Sequence, residues 1–459
     1  MSLASRPFRS IGRKLLAATT TPLARQQVAT TDSALGPYAA AGPGFGLNKS
    51  YAAFIQEIFQ DKFWNGPSVD GYSLMETNFA LFFGLAVQAY EATLIPDNTP
   101  LDTLLTALNQ TVLPNPLSPN QVERGLAVFL NAPANCVVCH AGAETTGATI
   151  STQIGFGRPL APGVVVPEAA ALTERMLMGD GNPAVYDAGF YNVGARPTGD
   201  DLSLFGRLGE VPFSFGMLQQ EILRANPAVA QVNQLLLSGT LRLPGSPSNL
   251  APVPFVITNG CAPRAANGQA LGLVVGNGCQ PISTKDHIGI RGAFKSSSLR
   301  NTKFTGPYFH NGGMKSLTEV LNFYNRGGDF NMAFNPQNCP PQRGRQNKAN
   351  CVTGQVDFDP GILALGLTPT QLADLQHLIE VGMTDDRVAK EKAPFDHPQI
   401  CIPAGHDVLG NTLLVDIPAV GAEGNAADLQ TFEQALTGDT THTHRLDVVC
   451  AMVPAPNLP

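Results

Sequence analysis

Two cysteines and a histidine stand together in the sequence Cys136-Val137-Val138-Cys139-His140. Two thiols separated by two residues can add across the vinyl groups of a haem, and the adjacent histidine can bind the iron from the proximal side. The C-x-x-C-H pattern therefore predicts one covalently attached haem of the c type. In this interpretation Cys136 and Cys139 hold the haem and His140 is the proximal ligand of its iron.

Two other chemistries use closely spaced cysteines. A zinc knuckle needs a second pair of ligands at comparable spacing, and the sequence contains no other C-x-x-C and no H-x-x-H. A thioredoxin-like redox pair needs a βαβ context, which the surrounding sequence does not predict. Haem attachment is the interpretation that the residues favour.

The residues before the motif predict a helix that delivers it to the edge of a pocket. Ser118-Pro119-Asn120-Gln121 has the pattern of a helix start, with Ser118 as the N-cap and Gln121 completing a capping box. Apolar residues then recur at helical spacing, at Val122, Leu126, Phe129 and Leu130. This face suits packing against an apolar cofactor as well as against an ordinary core.

A second group of polar and aromatic residues lies between positions 299 and 328. It begins with Leu299-Arg300-Asn301, continues through Pro307-Tyr308-Phe309-His310-Asn311-Gly312-Gly313 and predicts a glycine-rich loop followed by a helix from Ser316 to Tyr324. Such a loop can wall a cofactor, with Arg300 and Lys303 available for haem propionates. A surface loop with a hydrogen-bonded histidine is the alternative.

Composition excludes several classes of protein. A formal net charge of -7 argues against nucleic-acid binding, and 46 glycines and 37 prolines indicate a loop-rich chain. The longest apolar helix candidate, Met75–Ile95, contains about 12 near-continuous apolar residues, too few to span a bilayer. We expect it to be a buried core helix. The segment Leu15–Ala18 is too short for a secretory hydrophobic region.

Six cysteines lie outside the haem motif: Cys261, Cys279, Cys339, Cys351, Cys401 and Cys450. An even number in turn-forming surroundings predicts disulfides and an oxidising compartment, either periplasmic or extracellular. Six cysteines allow 15 pairings. Pairings between sequence neighbours, 261 with 279, 339 with 351 and 401 with 450, are favoured, and free buried thiols are the alternative.

The elements along the chain predict a mainly α protein with long irregular loops and a few short β-strands. Residues 1–48 are expected to form an extended N-terminal arm, 49–400 the main domain and 401–459 an irregular tail. Besides the segments above, helices are predicted at Tyr51–Phe59, Pro100–Leu108 and Thr368–Val381, and a short strand at Phe255–Thr258.

The motifs resemble those of the bacterial di-haem cytochrome c peroxidase and MauG superfamily, in its second haem domain. That domain carries C-x-x-C-H, then a long segment ending in L-R-N and P-Y-x-H-x-G-G, then a helix. Phe190–Thr198 and Ala393–Pro398 are also similar to long members of this group. The resemblance covers about residues 50 to 400 and implies a cytochrome c-like haem domain.

The resemblance also implies the axial ligands. His140 matches the proximal ligand, and the sixth ligand in the family lies fourteen residues beyond the loop histidine, as methionine in the peroxidases and tyrosine in MauG-like members. Fourteen residues beyond His310 is Tyr324. Met314 is the competing ligand, and His310 is expected to be structural. The backbone carbonyls at Thr305 and Pro307 match positions that bind calcium in relatives.

Relatives carry a first haem domain with its own C-x-x-C-H, where peroxide is handled, and this sequence contains one such motif. The resemblance implies a cytochrome that transfers electrons to or from a redox partner. A separate chain that carries the missing haem domain is one such partner. The alternatives are a mono-haem cytochrome, an autonomous peroxidase or oxidase acting at this haem, and a haem that only staples a secreted scaffold. Near Tyr324 the sequence offers Arg326 and Asp329, which do not form an acid/base pair.

Overall fold

The computed structural model describes residues 8–17, 21–41, 45–108, 113–148, 173–178, 182–225, 234–236, 256–258, 283–330, 357–359, 361–406, 408, 410, 412–439 and 441. The chain divides into a first unit, Met1–Ala107, Lys303–Thr305 and Thr384–Pro459, and a second unit, Leu108–Thr302 and Gly306–Met383. This division differs from the predicted order of arm, main domain and tail, because the first unit takes segments from both ends of the chain.

The described residues form helices α1 (Phe8–Leu15), α2 (Tyr51–Ile58), α3 (Leu74–Thr77), α4 (Phe79–Glu91), α5 (Pro100–Ala107), α6 (Gln121–Leu130), α7 (Phe215–Ala225), α8 (Leu317–Asn325), α9 (Pro369–His377), α10 (Asp386–Ala389) and α11 (Phe432–Leu436). The strands are β1 (Thr173–Leu177), β2 (Pro183–Asp187), β3 (Phe190–Tyr191), β4 (Arg207–Leu208), β5 (Val211–Pro212), β6 (Gln234–Leu236), β7 (Val256–Thr258), β8 (Phe294–Lys295), β9 (Ile400–His406) and β10 (Thr412–Ile417). They pair antiparallel as β1 with β2, β3 with β8, β4 with β5, β6 with β7 and β9 with β10.

Several predicted elements are confirmed within one to four residues at their ends. Helices α2, α5, α8 and α9 and strand β7 lie where the sequence predicts them. Thr368 and Gln371 form a capping box at the start of α9, as their residue types and spacing predict. Helix α6 is also present, but its N-cap is Asn120, whose side chain accepts from the backbone N–H groups of Val122 and Glu123. Ser118 was the wrong N-cap.

Both ends of the chain are more regular than predicted. The expected extended arm contains α1. A Cβ at Gly12 of α1 would lie 2.7 Å from Cβ of Phe79 in α4, so α1 and α4 pack closely. The expected irregular tail contains the β9–β10 hairpin and α11. The backbone N–H of Gln399, at the start of the tail, donates to the carbonyl of Gln27 at 2.8 Å, which ties the two terminal segments together within the first unit.

Helix α4 contradicts the prediction of a buried core helix. The predicted Met75–Ile95 helix is divided into α3 and α4, and α4 buries Phe79 and Phe82 while most of its other residues are exposed. Its exposed apolar side chains include Leu81, Phe83, Leu85, Val87 and Tyr90. Within the described part of the chain, none of the helices combines the length and the apolar character that a membrane crossing requires.

Helix α6 packs in the second unit against α9 and the π-helical turn Leu378–Gly382. Its buried residues are Val122, Gly125, Leu126, Ala127 and Phe129. A Cβ at Gly125 would lie 2.7 Å from Cβ of Leu378, so glycine permits the close approach of the two helices. The edge of this contact carries a bidentate ion pair in which Arg124 donates to both carboxylate oxygens of Asp374, at 2.8 and 3.0 Å.

The short strands of the second unit bring distant parts of the chain to the haem motif. Strand β3 pairs with β8, so that Phe190 lies opposite Lys295. Just after β8, the backbone N–H of Ser296 donates to the carbonyl of Gly189 at 2.8 Å. The segment Ser296–Leu299, which we call the 296–299 segment, thereby reaches the turn that follows His140.

Candidate functional site

The haem motif lies on a single tight turn shortly after α6. Asn135 has a left-handed backbone conformation (φ 44°), and Cys136–Val138 forms one 3₁₀ turn. The backbone N–H of His140 donates to the carbonyl of Cys136 at 3.0 Å. Both cysteines are free thiols, and burial raises the pKa of Cys136 to about 11. The turn therefore presents two thiols and an imidazole from five consecutive residues.

The imidazole of His140 is held through one nitrogen. Its Nδ1 lies 3.1 Å from the backbone carbonyl oxygens of both Thr145 and Ser297. A carbonyl oxygen only accepts hydrogen bonds, so Nδ1 carries the hydrogen and Nε2 of the neutral ring keeps its lone pair. Burial lowers the pKa of His140, which favours this neutral ring. A metal-binding histidine usually donates a hydrogen bond from its other ring nitrogen in this way.

The 296–299 segment fastens the turn from the other side. Thr146 Oγ1 donates to the carbonyl of Ser296, and Ser296 Oγ donates to the carbonyl of Cys139 at 2.8 Å. The backbone N–H of Leu299 donates to Thr145 Oγ1, also at 2.8 Å. These contacts cannot be predicted from residue types, because most of them use backbone groups of residues far apart in the chain.

Tyr324 lies on α8, close to the haem motif. Burial raises the pKa of its hydroxyl well above the ordinary value, and the nearby thiols of Cys139 and Cys136 and the carboxyl of Asp359 raise it further. Its ring contacts Phe323 edge-on, with ring centroids 5.2 Å apart. Tyr324 is thus near enough to the cysteines for their thiols to affect the pKa of its hydroxyl. The backbone of the competing residue Met314 pairs with Tyr308. The assignment of either residue as a ligand stays a prediction.

Asp359 is a candidate that the sequence did not reveal. The residue is 8% exposed, and burial raises the pKa of its carboxyl to about 6, although a 2.7 Å hydrogen bond from the backbone N–H of Gly361 opposes that shift. It lies near enough to Tyr324 to affect the pKa of the hydroxyl. A buried carboxyl that titrates near neutrality is a candidate acid/base group.

His310 contacts groups other than the haem motif. Its Nε2 lies 2.9 Å from Asp201 Oδ2, and its ring stacks on Phe294 with centroids 3.6 Å apart. Phe294 belongs to β8, so His310 fastens its loop to the strand that leads into the 296–299 segment. These contacts agree with the structural role expected for His310, which stays a prediction.

The other predicted residues have partners of their own. Arg300 Nε donates to the carbonyl of Ala143 at 2.7 Å, and Lys303 Nζ lies 3.6 Å from Asp428. Their propionate contacts stay predictions. Thr305 and Pro307 fall in different units, and their calcium role also stays a prediction.

The disulfide predictions fall mostly outside the described residues, which include Cys136, Cys139 and Cys401 among the cysteines. Cys401 is disulfide-bonded. The pairing of Cys401 with Cys450 and the two other pairings stay predictions.

Comparison with known proteins shows weak homology to the MauG and cytochrome c peroxidase family. No protein-family model matches the chain. It is 57% identical over 37 residues to the cytochrome-c peroxidase IdrP1 of Denitromonas iodatirespirans, covering 8% of this chain and 10% of that protein. It is 47% identical over 45 residues to IdrP2 of Pseudomonas sp. (strain SCT), covering 10% and 12%. These matches span about a tenth of the length of either peroxidase.

A longer match is to the methylamine utilization protein MauG of Methylorubrum extorquens, 24% identical over 251 residues, covering 47% of this chain and 71% of MauG. A solved structure described as a MauG-like protein associated with microbial copper homeostasis aligns with 65% of this chain and 51% of its own, at 16% identity and a TM-score of 0.28. The sequence matches indicate a haem-containing redox or peroxidase-like protein.

Proposed function

We propose that this chain is a c-type cytochrome with one haem, bound covalently by Cys136 and Cys139, and that it transfers electrons as the second-haem half of a di-haem peroxidase or MauG-like system. The observation that carries the proposal is the state of His140. Its Nδ1–H is committed to two carbonyls, and its Nε2 lone pair is available beside two free thiols. These residues fit a c-type haem.

In this proposal His140 Nε2 is the proximal ligand and Tyr324 the distal one. The haem would supply a one-electron ferric/ferrous couple. Tyr324 must give up its phenolic proton to act as an anionic ligand, and burial opposes that loss by raising its pKa. Asp359 lies near enough to affect that pKa, and its carboxylate is a candidate acceptor for the proton.

The first test is the cofactor itself. Denatured protein should give the pyridine haemochrome spectrum of a c-type haem at one per chain, and the Cys136→Ala and Cys139→Ala variants should each lose one thioether bond. A protein without haem, or with stoichiometric zinc at these thiols, would overturn the proposal.

The second test concerns the distal ligand. Tyr324→Phe should change the ferric absorption spectrum, because it removes the donor oxygen and keeps the ring. Met314→Ala and the control Tyr308→Phe should leave the spectrum unchanged. If Met314→Ala changes the spectrum and Tyr324→Phe does not, the distal ligand is methionine. The reduction potential should then be higher than with tyrosine. His310→Ala should retain the native spectrum.

Asp359 favours a second candidate function, an autonomous peroxidase or oxidase acting at this haem. Such an enzyme needs an open iron site and an acid/base group, and Asp359 is a group of that kind near Tyr324. Stopped-flow mixing of the isolated holo-protein with hydrogen peroxide separates the two functions. An inert six-coordinate ferric haem supports electron transfer, whereas rapid oxidation of the haem with turnover supports the enzyme.

The proposed partner is a redox protein, and a chain that carries a peroxide-handling haem is one example. The proposed compartment is the bacterial periplasm or the extracellular space. The disulfide at Cys401 supports an oxidising compartment. We also retain calcium at Thr305 and Pro307 as a proposal. Calorimetric titration of the holo-protein with calcium should show binding that Pro307→Gly weakens.

A further inference from the structure

We infer that Thr145 is the positioning residue of the His140 imidazole and that its hydroxyl sets the electron-donating strength of that ring. The inference rests on the proposed haem ligation by His140. It concerns a residue outside the C-x-x-C-H motif and outside the predicted loop and helix at 299–328.

Thr145 holds a backbone conformation that turns its carbonyl towards His140. Its φ is 52°, in the left-handed region that β-branched residues rarely adopt. Its N–H donates to the carbonyl of Gly142 at 3.1 Å, which closes the turn, and its own carbonyl accepts from His140 Nδ1. Side-chain contacts add to these backbone bonds in holding the conformation.

Hydrogen bonds to Glu144 and Leu299 and a longer contact of 3.4 Å with Ser298 Oγ hold the Thr145 side chain, which belongs to a residue only 6% exposed. Thr145 Oγ1 donates to the carbonyl of Glu144 at 2.7 Å and accepts from the backbone N–H of Leu299 at 2.8 Å. The bond to Leu299 crosses from the haem-motif turn to the 296–299 segment, so this hydroxyl joins the C-terminal end of that segment to the turn, as the Ser296 contacts join its other end.

The second acceptor of His140 lies on that same segment. Ser297, whose carbonyl is 3.1 Å from Nδ1, is two residues before Leu299. Thr145 therefore supplies one acceptor through its carbonyl and holds the other through its hydroxyl. Loss of the hydroxyl should loosen both acceptors together.

A firmly held Nδ1–H···O bond gives the imidazole partial imidazolate character and makes Nε2 a stronger donor. A stronger donor stabilises ferric over ferrous iron and lowers the reduction potential. When both acceptors loosen, the potential should rise.

The experiment compares two variants of the holo-protein. Thr145→Val keeps the shape and the β-branch and removes the oxygen, whereas Thr145→Ser keeps the oxygen. In spectroelectrochemical titration, we expect Thr145→Val to change the ferric/ferrous ratio at a fixed potential about tenfold, a rise of about 59 mV for a one-electron couple. Thr145→Ser should stay close to the wild-type potential.

Thr198→Val is the matched control. Thr198 is 1% exposed in the same unit, and its Oγ1 accepts from Asn192 Nδ2 at 2.8 Å, in a contact that does not involve His140. This variant should lose thermal stability and keep the wild-type potential. The inference is overturned if Thr145→Val keeps the wild-type potential, if Thr145→Ser shifts it equally, or if Thr198→Val produces the same shift.

A protein purified without haem would overturn the proposed function and still test this contact. Proton–nitrogen correlation spectra of His140 should then show the Nδ1–H tautomer in the wild type and in Thr145→Ser, and a mixture of tautomers in Thr145→Val. An unchanged tautomer in Thr145→Val would overturn the inference by itself.

Discussion

Helices α6 and α4 are both rich in apolar residues, and their surroundings differ. Helix α6 buries one face against α9, with Arg124 paired to Asp374 at its edge. Helix α4 buries Phe79 and Phe82 and exposes apolar side chains on its other sides. An amphipathic helix indicates which face needs a partner, whereas a helix that is apolar all round shows that burial is favourable without showing where the partner lies. Apolar content alone does not predict burial.

The largest expected difference is in the stability lost when a phenylalanine of each helix is replaced by alanine. Phe129 in α6 is 3% exposed and Phe83 in α4 is 56% exposed. Phe129→Ala should lower the free energy of unfolding by about 3–5 kcal/mol, because it leaves a cavity, and Phe83→Ala by less than about 1 kcal/mol. Chemical denaturation of both holo-variants measures the difference. Equal losses would mean that α4 is covered in solution.

Burial in the second unit also affects an ionisable group, the carboxyl of Asp359. Its folded-state pKa of about 6 lies above the unfolded value of about 3.9. Its contribution to stability is therefore fully present below about pH 4 and is lost as the pH rises through 6. The free energy of unfolding of Asp359→Asn, measured relative to that of the wild type, should therefore rise by on the order of 3 kcal/mol between pH 4 and pH 8.

Thermal unfolding of the wild type and Asp359→Asn at both pH values checks this expectation. Asp200→Asn, at an exposed position of the same unit, is the control and should show no such gain. A pH-independent difference for Asp359→Asn would contradict the burial of a titrating carboxyl.

The glycines of the two helices should respond in opposite directions. A Cβ at Gly125 of α6 would meet the carbonyl oxygen of Asp374 and Cβ of Leu378. Gly125→Ala should therefore cost about 2 kcal/mol, because it pushes α6 away from α9. The measurement is the denaturation midpoint, and a neutral result would show that this helix pair can separate without loss.

The smallest effect is a gain. A Cβ at Gly84 of α4 would meet nothing within 4 Å, so Gly84→Ala should stabilise the chain by up to about 1 kcal/mol through helix propensity. Gly84→Ala and Gly125→Ala, measured in the same denaturation assay, test the difference between α4 and α6 with the same chemical change in both helices. Destabilisation by Gly84→Ala would indicate a close neighbour at α4.

The sequence predicted best what depends on neighbouring residues. The capping boxes Ser73–Glu76 and Thr368–Gln371 are recognisable from residue types because their partners lie within four residues, and the structure contains both. The start of α6 differs from the prediction because Ser118 Oγ donates to Glu123 Oε2 and the side chain of Asn120 caps the helix. That choice between two side chains is made by three-dimensional geometry, which residue types do not record.

The same division holds at the candidate site. Cys136, Cys139 and His140 were found because their chemistry requires fixed spacing. Tyr324 was found through the family resemblance. The acceptors of His140 are backbone carbonyls, which every residue possesses, and the pKa of Asp359 depends on burial by distant segments. Neither leaves a signal in the sequence.

The two acceptors of His140 also differ in how far they lie along the chain. Thr145 is five residues from His140, and Ser297 is 157 residues away. During synthesis from the N-terminus, the haem motif and its local acceptor emerge well before the distant one exists. A cofactor attached early would be held by the local turn alone, and the arrival of the 296–299 segment would complete its proximal side. Maturation of this site would therefore be a two-stage process whose second stage is a long-range folding step.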